Sequence, residues 1–252
     1  MSTDRARPTP DGVPLDKAPS RIAGMFDAIA ARYDLLNTVL SAGLDRHWRL
    51  RAIASLRLSG RERLLDVCTG TADIALGAAR AEPGAARVVG VDFAGAMLAH
   101  GREKVDAAGL APRVQLIRGD ATTLPVADQS VDALTIAFGI RNVQAPDAAC
   151  REIRRVLKPG GRVAILEFGL PGLPGLRHLY GWYFRSVLPR VGRLVSRHGG
   201  AYAYLPASVG AFPYGQEFVD MLTAAGLTAA TAKPLTLGVV YLYNARRPDR
   251  DP

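Results

Sequence analysis

The chain has 252 residues, 48% of them hydrophobic, which suffices for one sizeable core, and open α/β sheets of this length are routinely a single domain. A net charge of +9 leaves nucleic acid, an anionic membrane surface or simple solubility as its reason. No apolar run reaches the length of a membrane span, no signal-type hydrophobic stretch opens the chain, and Cys68 and Cys150 match neither a zinc nor a C-x-x-C spacing, so a spanning protein and a disulfide scaffold are excluded and a cytoplasmic location is expected.

Residues 1–19 hold four prolines and no apolar periodicity, which predicts a disordered arm. From Ser20, a suitable N-cap, Ile22, Met25, Phe26, Ile29 and Tyr33 recur at helical spacing, and Leu35, Leu36, Val39 and Leu40 continue the run. Asp45 opens a further helix through Leu56. These helices, a cap over 20–57, precede the first core strand and are expected to cover a sheet edge or the mouth of a site.

Leu64, Leu65 and Val67 form the short apolar run of a buried parallel strand, and Thr69-Gly70-Thr71 breaks it before a helix begins. A dinucleotide loop would read G-x-G-x-x-G; this one has a single glycine and two carboxylates, Asp66 and Asp73. Such acids repel a pyrophosphate and suit a ligand bearing an ammonium and a sulfonium, although an ordinary βα turn explains the loop equally well. A second strand over 87–92 ends on Asp92, about 20 residues past the glycine, where a carboxylate accepts two ribose hydroxyls. A third ends beside Asp120 and Ala121, with Asp120 suited to an adenine amino group. Acids at three successive strand ends favour a nucleoside site at the carboxyl edge of the sheet.

A strand over 131–137 leads into Phe138-Gly-Ile-Arg-Asn-Val143, a helix over 146–156, the breaker turn Lys158-Pro-Gly-Gly161 and a fifth strand over 162–168. An insert over 171–200, a helix over 214–225 and two closing strands over 227–233 and 238–245 complete the chain. No Asp or Glu occurs between Phe168 and Gln216, where nine of the seventeen aromatics lie.

Alternating strands and helices with these acids resemble the class I S-adenosylmethionine-dependent methyltransferases, an α/β Rossmann-like fold with a seven-stranded, mostly parallel sheet and helices on both faces. Arg32-Tyr-Asp-Leu-Leu-Asn37, Asp66-Val-Cys-Thr-Gly-Thr-Ala-Asp73, Phe138-Gly-Ile-Arg-Asn-Val143 and Arg155-Val-Leu-Lys-Pro-Gly-Gly161 with Leu166-Glu-Phe168 are similar, in order, to signatures of the ubiquinone/menaquinone biosynthesis C-methyltransferases. The likeness implies one methyltransferase domain over 20–247, carrying the cap and the helical insert. It also implies S-adenosylmethionine as cofactor, bound by Thr71 with Gly70 in the loop, Asp92 at the ribose and Asp120 with Ala121 at the adenine. The loop departs from the family's commoner Gly-Gly-Thr-Gly-Asp, and Ala137 replaces a serine, removing one hydroxyl contact.

The implied reaction methylates a ring carbon of a prenylated quinol, which requires a phenolate and no metal. Arg141 is the expected cation beside that phenolate, Tyr33 an acceptor-side residue, and His47 the candidate base by intrinsic pKa, with a packed surface histidine as the plainer account of it. A nicotinamide dehydrogenase is disfavoured by the acidic loop, and a nucleic-acid amino-methyltransferase by Ala137-Phe-Gly-Ile where Asn/Asp-Pro-Pro-aromatic would stand, so no nucleic-acid partner is expected. The basic, aromatic insert is expected to touch an anionic membrane at the inner face of the plasma membrane, and a homodimer belongs to the same set of expected partners.

Overall fold

Alternate residues of each inner strand point to opposite faces of a sheet, and the sequence supplies apolar side chains for both. The computed structural model describes residues 15–172, 175, 178, 181, 182 and 200–250. Seven strands form one sheet: β1 (Arg63–Val67), β2 (Arg87–Asp92), β3 (Val114–Arg118), β4 (Val131–Ala137), β5 (Leu157–Phe168), β6 (Thr228–Leu235) and β7 (Val240–Arg246), in the order β3-β2-β1-β4-β5-β7-β6. β1 to β5 pair in parallel, and β7 runs antiparallel to both β5 and β6. The expected seven-stranded, mostly parallel sheet is therefore present.

Leu64 points into one core layer with α4 (Asp73–Arg80) and α5 (Gly95–Ala107), while Leu65 and Val67 point into the other with α6 (Pro146–Val156) and, further along the chain, α8 (Gln216–Ala224). Between α6 and α8 in sequence lies α7 (Gly200–Ala211). The cap consists of α1 (Pro19–Ile29), α2 (Tyr33–Leu40) and α3 (Leu44–Ser55). A 3-10 turn at Ala30–Arg32 interrupts what the periodicity presents as one helix. Gly43, at φ +79, then turns the chain into α3.

On α3, Asp45, Trp48, Ala52 and Ile53 face inward at helical spacing and seat the helix on the core. Burying side chains such as Ile53 and Leu56 contributes roughly 2 kcal/mol each. α1 is docked by Asp27, whose carboxylate accepts the Ala96 N–H at 2.8 Å in the first turn of α5.

Besides shifts of one or two residues at the ends of other elements, three differences from expectation stand out. β5 begins at Leu157, and the Lys158-Pro-Gly-Gly turn sits within it as an irregularity: Leu157 pairs with Val131, the register then skips, and Gly160 adopts φ +72. α8 starts at Gln216 because Tyr214 packs on the Tyr241 ring and Gly215, at φ +68, donates its N–H to the Tyr243 hydroxyl. The third is α7, an almost uniformly apolar segment with an internal Pro206, which offers no amphipathic stripe to read. Residues 1–14 of the expected arm and most of the insert over 171–200 lie outside the described residues, whereas Pro19 already belongs to α1.

Candidate active site

Each parallel strand delivers its last residues to the same edge, so side chains distant in sequence meet there. Asp66, near the end of β1, is almost fully buried and accepts hydrogen bonds from the hydroxyls of Thr69 at 2.6 Å and Thr135 at 2.7 Å. Burial pushes its carboxyl up to about 6, the two threonines recover part of that, and the nearby Asp92 charge adds to it. Asp92, ending β2, accepts the Gly70 N–H on one oxygen and the Ala94 N–H on the other, both at 2.9 Å. Its carboxyl is also raised, chiefly by burial. Each oxygen keeps acceptor capacity beyond that one bond, the arrangement a vicinal diol requires. Asp120 is half-buried and accepts the Thr122 N–H and hydroxyl on a single oxygen at 2.7 Å, with Ala121 buried beside it.

The loop after β1 bends through left-handed backbone at Cys68, Gly70 and Ala72 before α4 begins. Only Gly70 adopts this without a Cβ penalty, so the two non-glycine residues hold backbone strain beside the site. Thr71 donates its hydroxyl to Asp34 of α2 at 2.5 Å, and Lys104 of α5 reaches Asp34 at 2.6 Å and Asp73 at 2.5 Å. Arg49 of α3 stands 3.4 Å from Asp73 and is ion-paired with Asp45. The cap is thus tied to the loop through one charged network. Asp73, expected to meet a cationic ligand, is instead compensated within the protein by Lys104 and Arg49.

Two narrow clefts share Tyr33, Cys68, Gly70 and Ala137; one adds Asp92, Phe138 and Asn142, the other Arg49, Asp66 and Thr71. Of the residues expected from sequence, Tyr33, Gly70, Thr71 and Asp92 line these clefts, whereas Asp120, Ala121, Arg141 and His47 line neither. Ala137 lines both clefts even without a hydroxyl. Arg141 is buried and paired with Glu167 at 2.8 Å, with a further bond to the Phe138 carbonyl, and its guanidinium stacks 5.3 Å from the Phe168 ring. Its charge is balanced by Glu167, so the cation expected from sequence stands in a pair. His47 is exposed and accepts a hydrogen bond from Arg51 Nε at 3.1 Å; it faces away from the inward positions 45, 48, 49 and 52 and lines neither cleft. Tyr33, by contrast, lies in both clefts, edge-on to Phe26 at 5.9 Å, and burial raises its phenol, so it remains a neutral donor.

Phe138 follows β4 at φ +59, and Gly139 after it has no room for a side chain, since a Cβ there would lie 2.2 Å from that of Cys68. The Phe138 ring is backed by Phe168 at 4.7 Å and Trp48 at 6.0 Å. Sequence reasoning missed Arg49, Lys104 and Glu167. For Arg49 the i,i+4 relation to Asp45 was a usable signal; Lys104 and Glu167 find partners 26 to 70 residues away, which no local pattern reveals.

The strand order, with a buried acid ending β2, is that of the class I S-adenosylmethionine-dependent methyltransferases. Solved structures agree on the fold: a putative S-adenosyl-L-methionine-dependent methyltransferase of Methanococcus maripaludis matches with TM-score 0.62 at 18% identity, covering 88% of this chain and 93% of that one. The phosphoethanolamine N-methyltransferase 2 of Haemonchus contortus, in complex with S-adenosylhomocysteine, matches with TM-score 0.61 at 17% identity, covering 80% and 52%. The model of the ubiE/COQ5 methyltransferase family matches residues 15–247, and the chain belongs to that family. Among its relatives, the ubiquinone/menaquinone biosynthesis C-methyltransferase UbiE of Geotalea daltonii is 43% identical over 92% of this chain and 99% of its own. The demethylmenaquinone methyltransferase of Thermus thermophilus is 46% identical over 89% of this chain and 100% of its own.

Proposed function

We propose that the protein methylates a ring carbon of a prenylated quinol, as its relatives' names describe, with demethylmenaquinol or the corresponding ubiquinol precursor as acceptor. The observation that carries this reading within the structure is the cluster of tilted and edge-on rings of Phe138, Phe168 and Trp48 beside the buried Arg141–Glu167 pair, with Phe138 lining the same cleft as Asp92. A flat, apolar ring packs favourably against such a surface, and a water-poor setting strengthens every polar contact made to its oxygens.

S-adenosylmethionine supplies the electrophilic methyl. Asp92 suits its ribose hydroxyls, Asp120 and Ala121 its adenine, and Asp66 with Gly70 and Thr71 its amino-acid end. The protein's part is to align the acceptor carbon, exclude water and favour the phenolate through fixed donors. Tyr33 is one neutral donor. Arg141 acts with Glu167 as a paired, positioned guanidinium rather than as a lone charge, and His47 is assigned no proton transfer.

The same reading includes transient docking of the basic insert on an anionic membrane, where a polyprenyl tail resides; among the described residues no helix is long and apolar enough to cross one. A homodimer is compatible with it. The deciding experiment incubates the purified protein with S-adenosylmethionine and reduced, prenylated demethyl-naphthoquinol or benzoquinol and follows the product by mass spectrometry. A one-methyl gain on the ring is expected; transfer to neither ring system would overturn the reading.

A further inference from the structure

α7 brings one more polar group to the acceptor side. The helix packs against α1 and against the turn at Ile140–Asn142. From it Tyr204 presents a hydroxyl shielded from solvent that has no hydrogen-bond partner among the described residues. Two more buried atoms in the same condition, Arg141 Nε and Asn142 Oδ1, belong to the turn on which α7 rests. An unmatched buried polar group is costly, and folded proteins keep few of them. Three within one helix–turn contact, at the carboxyl edge of the sheet, therefore mark polar groups that a ligand satisfies.

Their chemistry specifies that ligand. Arg141 Nε is a donor. Asn142 Oδ1 is an acceptor, its amide nitrogen being turned toward the Phe138 carbonyl at 3.5 Å. The Tyr204 hydroxyl can serve as either. Burial pushes Tyr204 up to about 12, so near neutral pH it stays protonated and donates. The charges that reach it are Arg141 from the turn, Glu167 from β5 and Arg21 from α1. Two donors and one acceptor match a hydroquinone about to react, with one oxygen ionised and the other still bearing its proton.

We propose that Tyr204 is a catalytic residue that donates its hydroxyl hydrogen bond to the acceptor oxygen that ionises, with Arg141 Nε as the second donor and Asn142 Oδ1 receiving the remaining ring hydroxyl. This rests on the quinol-methylation reading. Tyr204 neither gains nor loses a proton in the step: the ring hydroxyl releases its proton to water, and Tyr204 holds the resulting oxyanion. A donor aimed at developing charge is commonly worth a 100-fold change in turnover or more.

The test is Tyr204→Phe in the full-length enzyme, assayed with a prenylated demethylmenaquinol across pH, alongside calorimetry of S-adenosylmethionine binding and a thermal melt. The expected result is kcat lowered about 100-fold, with the ascending limb of the pH–rate profile moved to higher pH because the bound phenolate has lost a donor. Cofactor affinity and melting temperature should stay at wild-type values, since the hydroxyl has no hydrogen-bond partner among the described residues to lose. An unshifted profile with wild-type kcat overturns the proposal, and so does a loss of activity that tracks a lowered melting temperature, which would make Tyr204 structural. A wild-type enzyme that methylates no quinol fails differently, by removing the reading on which Tyr204 depends.

Discussion

Glu62 leads into β1 and Asp66 lies near its exit, and these two carboxylates, four residues apart, are held in opposite ways. Burial alone would raise Glu62, but two bonds from the Ser59 N–H, one from its hydroxyl and an ion pair with Arg162 at 3.0 Å outweigh it and hold the carboxyl at about 2. Asp66 is buried more deeply, has only two threonine hydroxyls to offset that burial, and rises to about 6. The rest of each edge follows suit. At the amino edge Asp132 is matched by Lys158 at 2.6 Å and the Arg63 N–H at 2.8 Å, beside an open groove of about 440 Å³. At the carboxyl edge Asp66 and Asp92 are both raised. Acids supplied with donors stabilise the fold; acids kept short of them leave room for a ligand to provide the missing partners.

Removing the ligand-facing acid should have the largest effect. Asp92→Ala is expected to weaken S-adenosylmethionine binding at least 100-fold by calorimetry and, because the Gly70 and Ala94 N–H groups lose their acceptor, to lower stability by about 1–3 kcal/mol. Unchanged affinity would take Asp92 out of the site. Next is Glu62→Gln, which should cost roughly 2 kcal/mol at pH 7 in denaturant unfolding. With the folded carboxyl at about 2, below its ordinary 4.5, that stabilisation is present above about pH 4.5 and disappears as pH falls toward 2. A gap that stays constant down the whole acid range would contradict the assignment.

Asp66→Asn carries the reverse sign. Its folded carboxyl, raised from 3.8 to about 6, stabilises fully below about pH 4 and loses that contribution as pH rises through 6. The variant should flatten the stability profile between pH 4 and 6 and be no less stable than wild type at pH 7; a clear loss there would show that the charged form is favoured. The smallest effect belongs to His47→Asn, which should leave the pH–rate profile of methyl transfer in place, and a displaced limb would restore His47 as a base.

Most of the sheet was legible because its signals are local: an apolar run, a break, and an acid where the strand stops, as at Asp66, Asp92 and Asp120. What escaped was pairing. Lys104 meets Asp34 across 70 residues and Arg141 meets Glu167 across 26, so neither the neutralisation of Asp73 nor that of Arg141 could be read from a window. For His47 the intrinsic pKa and the local pattern pointed different ways: its neighbours' helical spacing places it on the outer side of α3, in keeping with the plainer account of a surface histidine. Tyr204 stayed hidden because its helix is apolar on every side and interrupted by Pro206.

Cys68 shares the cleft with Asp92 and Phe138, and its thiol is held well above its usual range by burial and by the charges of Asp92, Asp66, Glu167 and Asp120. A quinol that loses two electrons becomes an electrophile that sulfur nucleophiles attack at carbon, and only the deprotonated sulfur does so efficiently. Burial, assisted by these acids, keeps the sulfur protonated, which predicts that an oxidised acceptor enters without alkylating the wall of the cleft. Exposure to a small benzoquinone at pH 7 should leave Cys68 at its native mass in peptide mass spectrometry, and an adduct on that residue would show that the protection does not exist.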